Sequence, residues 1–142
     1  MSGIIIRDAS SEDSPCVEAL MSKYYHGIDN VSINDVAVAE KNGYVIAACV
    51  VIHNDFYELH SIAVVPSYRG MGLASSLFEY MLARDEDIEK MYVRTTYPDF
   101  FEKLGFRKLD ISMKSNMWAD CAVCDKLNRC RQSAMIFTLD QQ

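Results

Sequence analysis

The stretch from Val64 to Ala74 reads Val-Val-Pro-Ser-Tyr-Arg-Gly-Met-Gly-Leu-Ala, and its residue types suit the holding of an anion. A strand-like run ends at Pro66, which cannot donate to a β-ladder. Two glycines follow within a tight turn, and helical apolar spacing begins inside it. The first N–H groups of a helix lack partners within the helix and carry a partial positive charge, so phosphates and carboxylates dock there. Gly70 and Gly72 would let the backbone approach such a ligand with no Cβ in the way, and Arg69 adds a planar cationic donor. The same glycines also suit an ordinary strand-to-helix turn, and both readings stand on these residues alone. Neither the P-loop pattern G-x-x-x-x-G-K-[ST] nor the third glycine of G-x-G-x-x-G is present.

Two other groups of residues carry chemical types. Glu58 and His60 are two apart in a β-like run and so share one face. His60 as a base or proton relay competes with the plainer reading of a satisfied histidine within a sheet. Cys121, Cys124 and Cys130 show C-x2-C spacing plus a third thiol. A structural zinc site takes four ligands, and no histidine follows residue 61. Asp120, Asp125, Cys16 or Cys49 would have to complete the set, so the expectation is no metal and a loop of reduced thiols packed against Trp118.

The elements that must position these residues are legible from periodicity. Ile4 to Arg7 is a short β-branched run, and Ser14-Pro15 opens a helix with Val17, Leu20, Met21 and Tyr24 on one side. A polar loop or irregular helix follows over 25–34. Asp35 to Glu40 and Tyr44 to Ile52 read as strands joined by Lys41-Asn42-Gly43, and Asn-Gly favours a tight hairpin because both residues tolerate positive φ. Phe56 to Val65 reads as a third antiparallel strand. Gly72 to Arg84 reads as the strongest helix, with Leu73, Leu77, Phe78, Met81 and Leu82 on one face. Then come a strand over Met91 to Thr95, a short helix from Asp99 to Leu104 stopped at Gly105, a strand over Phe106 to Met113 and a final strand over Ala134 to Leu139. Hairpins early and a strand–helix–strand unit late give an α+β class with a mixed sheet.

The 142 residues are 50% hydrophobic and 24% charged, with six Gly and three Pro, a profile that excludes disordered, collagenous and disulfide-scaffold classes. A chain of this length makes one domain with one core, and no linker or repeat interrupts it. The net charge of −6 argues against a general nucleic-acid binder, which draws its affinity from basic residues. It leaves room for an anionic ligand held by local amides and one Arg, and it would mildly attract amines. The longest apolar stretch, Val45 to Ile52, is far short of a bilayer span of roughly 20 residues, so no membrane role is expected. With no basic, apolar leader and an odd count of five Cys, the expected compartment is the reducing cytoplasm.

The stretch Leu59 to Ala74 resembles the acetyl-coenzyme A motif of the GCN5-related N-acetyltransferases (GNAT). That family reads Gln/Arg-x-x-Gly-x-Gly/Ala at this turn, matched by Arg69, Gly72 and Ala74. Phe100-Phe101-Glu102-Lys103-Leu104-Gly105-Phe106 resembles its second signature, Phe-Tyr-x-x-x-Gly-Phe. The tail, with Lys114, Trp118, Asp120 and the three cysteines, is similar to an N-acetylglutamate-synthase-like branch. The resemblance implies a single GNAT-like domain over residues 1–142, with a mixed, mostly antiparallel central sheet flanked by helices.

By the same resemblance, acetyl-CoA is the cosubstrate. Its pyrophosphate would lie on the amides of Arg69, Gly70, Met71, Gly72, Leu73 and Ala74. Its pantetheine would pair like an added strand with the main chain of Ile62, Ala63 and Val64. The partner would be a small amine, with amino acids among the candidates. Arg94, Lys114 and Arg131 are the cations considered for an acceptor carboxylate, and the loop around 24–34 would help to enclose it.

Amine acetylation needs an unprotonated nucleophile, whereas α-amino groups titrate near 7.7–8 and lysine near 10.4. A general base answers that need. Glu58, five residues before Ala63 where some family members place a catalytic glutamate, is the candidate base. The family's acid, the tyrosine of the second signature, is replaced by Phe101, so Tyr97 is the candidate for a hydroxyl near the same place. The alternative is a non-catalytic acyl-CoA-binding or regulatory module. A homodimer is allowed for, with no interface legible in the sequence.

Overall fold

The computed structural model describes residues 3–23, 31–118 and 132–139. Along them run β1 (Ile4–Asp8), α1 (Ser14–Lys23), β2 (Val36–Lys41), β3 (Tyr44–His53), β4 (Tyr57–Val64), α2 (Leu73–Arg84), β5 (Lys90–Thr95), α3 (Pro98–Leu104), β6 (Arg107–Lys108), α4 (Ser112–Met117) and β7 (Ser133–Thr138). The strand order is β1-β2-β3-β4-β5-β7-β6. The β4–β5 pair is parallel, and the β1–β2, β2–β3, β5–β7 and β6–β7 pairs are antiparallel. This is the α+β class with a mixed, mostly antiparallel sheet. The chain divides into two compact units, residues 1–54 with 59–87, and residues 55–58 with 88–142.

In the first unit the hairpin forms where Asn-Gly directs it. Lys41 pairs with Tyr44, and the two linking residues, Asn42 and Gly43, take φ of 53° and 83°. That left-handed pair is the turn whose twist matches its strands. Val17, Leu20 and Met21 of α1 pack with Val36, Val38, Ala48 and Val50 of β2 and β3 and with Ala63 of β4. The predicted face of α2 is the buried one, through Leu73, Leu77, Phe78 and Met81. The start of α1 is fixed by charge: Arg7 donates to both Asp13 oxygens at 2.8 and 3.0 Å and to Glu40 Oε1 at 2.8 Å. These bonds hold the Asp13 carboxyl down at about 2.

In the second unit β5 pairs with β7 over six residues, from Lys90 opposite Thr138 to Thr95 opposite Ser133. Phe100, Phe101, Phe106 and Phe137 stack in sequence with centroids 4.9 to 5.6 Å apart. Gly105, at φ 107°, ends α3 and turns the chain toward Phe106.

One expectation is corrected here. The strand read over Phe106 to Met113 shrinks to the two residues of β6, and a helical segment follows it. Asp110 is the cause: its Oδ1 accepts the Ser112 N–H at 3.0 Å, and its carbonyl accepts the Met113 N–H at 2.9 Å. Such local bonds offer the backbone an alternative to a ladder. Asp35 lies in a 3-10 turn rather than in β2, and β4, read as an antiparallel strand, has β5 as a parallel neighbour. No helix among the described residues is long and apolar enough to cross a membrane.

Candidate functional site

The turn after β4 is built by short-range bonds. Pro66–Tyr68 forms a 3-10 turn in which the Tyr68 and Arg69 N–H groups donate to Val65 O and Pro66 O at 2.9 and 3.2 Å. Arg69 Nε donates to Val64 O at 3.0 Å, tying the turn back to the strand it leaves. Gly70 and Gly72 take φ of 79° and 80°, the left-handed region where a Cβ is disfavoured. Gly72 is the N-cap of α2, and its carbonyl accepts the Ser76 N–H at 3.0 Å.

An ideal Cβ at Gly70 or Gly72 meets nothing within 4 Å, so the glycines are required by conformation and their outer face is open. Twelve residues of α2 stand behind this turn, so the unpartnered N–H groups of a full-length helix face it. An exposed, positive-φ turn with a guanidinium at its edge fits a diphosphate by the chemistry of its donors.

The predicted cofactor residues divide by side-chain fate. Arg69, Gly70, Met71 and Gly72 are exposed, Leu73 is buried under α2, and Ala74 is half-buried. In β4, Ala63 is buried in the core, while Ile62 and Val64 are half-buried on the opposite face.

In the second unit, Glu58 is buried and stands opposite Tyr92 in the parallel register. Arg94, two residues on and on the Tyr92 face, brings Nη2 to 3.7 Å from Glu58 Oε2. That is ion-pair distance, too long for a direct hydrogen bond. The Arg94 guanidinium lies 4.9 Å from the centre of the Trp118 ring. Phe56 packs edge-on to Trp118 at 5.3 Å and to Tyr92 at 5.2 Å. Trp118 Nε1 is buried and has no hydrogen-bond partner among the described residues.

The remaining candidates fall elsewhere. His60 Nδ1 lies 2.8 Å from Ser61 Oγ, a pairing within its own strand. Tyr97 is the N-cap of α3 with its side chain 75% exposed, and its N–H donates to Thr95 Oγ1 at 2.9 Å. Phe101, at the position of the family tyrosine, is buried among rings. Lys114 is buried and donates to Gln132 O at 2.9 Å. Cys49 is buried with its thiol pushed up to about 12 by desolvation, whereas Cys16 is exposed. Cys121, Cys124, Cys130, Asp120, Asp125 and Arg131 lie outside the described residues, as does the 24–30 part of the predicted enclosing loop. Among the described residues no group of His, Cys, Asp and Glu is arranged to hold a metal.

Sequence reading missed the Glu58–Arg94–Trp118 arrangement. Its three members come from β4, β5 and the end of α4, and parallel register leaves no local signal.

Residues 32–108 match the family model described as the acetyltransferase (GNAT) domain. The chain belongs to the GNAT acetyltransferase family. An uncharacterised N-acetyltransferase of Chlorobaculum tepidum is 26% identical over 151 residues, covering 94% of this chain and 96% of the relative. An amino-acid acetyltransferase of Mycobacterium tuberculosis is 25% identical over 121 residues, covering 75% of this chain and 70% of the relative. Among solved structures, N-acetylglutamate synthase from Neisseria gonorrhoeae, complexed with coenzyme A and N-acetyl-glutamate, superposes with a TM-score of 0.78 at 19% identity. The match covers 98% of this chain but 36% of the synthase, so the likeness is to one part of that enzyme and is one of fold.

Proposed function

We propose that this protein is an acetyl-CoA-dependent N-acetyltransferase whose acceptor is a small amine of the amino-acid class, with Glu58 as general base. The observation that carries the reading is the open, positive-φ turn of Gly70 and Gly72 at the head of α2. In this reading the N–H groups from Arg69 to Ala74 hold the cosubstrate's pyrophosphate, and the main chain of Ile62, Ala63 and Val64 aligns its pantetheine arm.

The acceptor nitrogen attacks the thioester carbonyl carbon, an N–C bond forms and the C–S bond breaks. Glu58 takes the proton lost by the amine, directly or through one water. The sulfur leaves as thiolate, whose conjugate acid has a pKa near 8.5, and takes its proton from water or from the exposed Tyr97. The amino-acid class is supported by the names of the mycobacterial relative and the gonococcal synthase.

A second reading, an acyl-CoA-binding module without turnover, is favoured by one observation: Phe101 fills the family's acid position with a buried ring. Amine-dependent thiol release by the wild-type chain separates the two, and Glu58→Gln tests the base. A positioned base contributes about 10²–10⁴-fold, so kcat should fall by that order near neutral pH while coenzyme A affinity stays unchanged. The deficit should shrink as pH rises toward the amine's own pKa. A kcat near wild type across that range would remove Glu58 from the chemistry.

A further inference from the structure

The Arg94 guanidinium occupies a defined place between two groups. On one side is the Glu58 carboxylate, 3.7 Å away, with the two side chains 20% and 10% exposed. On the other is the Trp118 ring, 4.9 Å from the guanidinium carbon, itself held edge-on by Phe56. A planar, delocalised cation stacks on an indole face and presents its edge to a carboxylate at the same time, which an ammonium does not do.

The 3.7 Å separation matters for chemistry. A direct bidentate pair would occupy both carboxylate oxygens. An ion pair at this distance compensates the charge of a nearly buried carboxylate, which would be costly alone, and leaves its lone pairs available to a substrate N–H or a water. From this geometry we infer that Arg94 is a positioning residue for Glu58, with Trp118 as the platform that holds it. This rests on the reading of Glu58 as the base, and Arg94 itself takes no proton and touches no reacting atom.

The pair and its platform can be followed by two independent readouts. Trp118 is the chain's one tryptophan, so intrinsic fluorescence reports the stacked guanidinium without any substrate. Arg94→Met and Glu58→Gln should each change its emission, and the double variant should look like Arg94→Met alone. Exposed Glu79 on α2 is the control, since Glu79→Gln should leave emission unchanged.

In turnover with acetyl-CoA and a panel of twenty L-amino acids and short polyamines, Arg94→Met should lower kcat at least tenfold with KM for acetyl-CoA unchanged. Arg94→Lys should recover only part of that loss, because it keeps the charge and loses the stack. Glu58→Gln/Arg94→Met should be no slower than Glu58→Gln. Should Arg94→Met fail to fold by circular dichroism, Arg94→Lys carries the same two cycles.

The failures are distinguishable. Unchanged kcat in Glu58→Gln, or no turnover with any amine, overturns the base reading and the positioning role with it. A slow Glu58→Gln beside a normal Arg94→Met, losses that multiply in the double variant, or indole emission blind to Glu58 overturns the positioning role alone.

Discussion

Single residues here are fixed by conformation or by charge, and the two kinds predict different experiments. Gly72 is required by its φ of 80°, since nothing crowds a Cβ there. Gly72→Val would place a β-branched residue in the left-handed region at a cost of roughly 1–2 kcal/mol and cover the amides that α2 presents. The expected result is a folded protein by circular dichroism with coenzyme A binding lost in calorimetry, and unchanged affinity in a folded variant would refute the pyrophosphate role. Asp13 is fixed by charge, with its carboxyl held at about 2 chiefly by the Arg7 hydrogen bonds, against an ordinary value of 3.8. A carboxyl depressed by folding stabilises the fold above its unfolded value, and that contribution is lost as pH falls through the folded one. Stability should therefore drop as pH is lowered from about 4 to about 2. Asp13→Asn should flatten that part of the acid limb in urea melts at successive pH values, and a superimposable limb would contradict the assignment. Both residues were open to different degrees in the sequence: Gly72 stood out by its turn, whereas Asp13 did not, because its partner Arg7 lies on another element.

At the level of elements, local chemistry that the sequence states openly was realised. Asn42-Gly43 made the hairpin, Gly105 ended α3, and the spacing of Leu73, Leu77, Phe78 and Met81 named the buried face of α2. The misread element was the segment after Phe106, where the apolar residues alternated like a strand but Asp110 bonded its own backbone and started α4. Alternation over a few residues cannot outvote such a local cap. The Glu58–Arg94 pairing was illegible for another reason: it depends on a parallel register between β4 and β5 that no turn connects. The α2 face gives a test at this scale. Leu77 is fully buried on it, so Leu77→Ala should cost about 2–5 kcal/mol, read from the urea midpoint. A loss under about 0.5 kcal/mol, the size expected of surface substitutions, would mean that α2 does not anchor the turn it carries.

For the molecule as a whole, family and chemistry meet at different depths. The GNAT family is carried by the match over residues 32–108 and by the strand order. The acceptor is carried by neither: of the cations weighed for a carboxylate, Arg94 faces Glu58 and Lys114 bonds Gln132 O, while Arg131 lies outside the described residues. The amine must therefore be found by assay. The central claim is amine-dependent acetyl transfer, and the direct measurement is free thiol release from acetyl-CoA by the wild-type chain across a panel of amino acids and polyamines, with products identified by mass spectrometry. The account predicts thiol release above the amine-free rate with at least one amino acid, together with one equivalent of the N-acetylated product. Coenzyme A binding in calorimetry with no amine raising thiol release would contradict it and leave an acyl-CoA-binding module in its place.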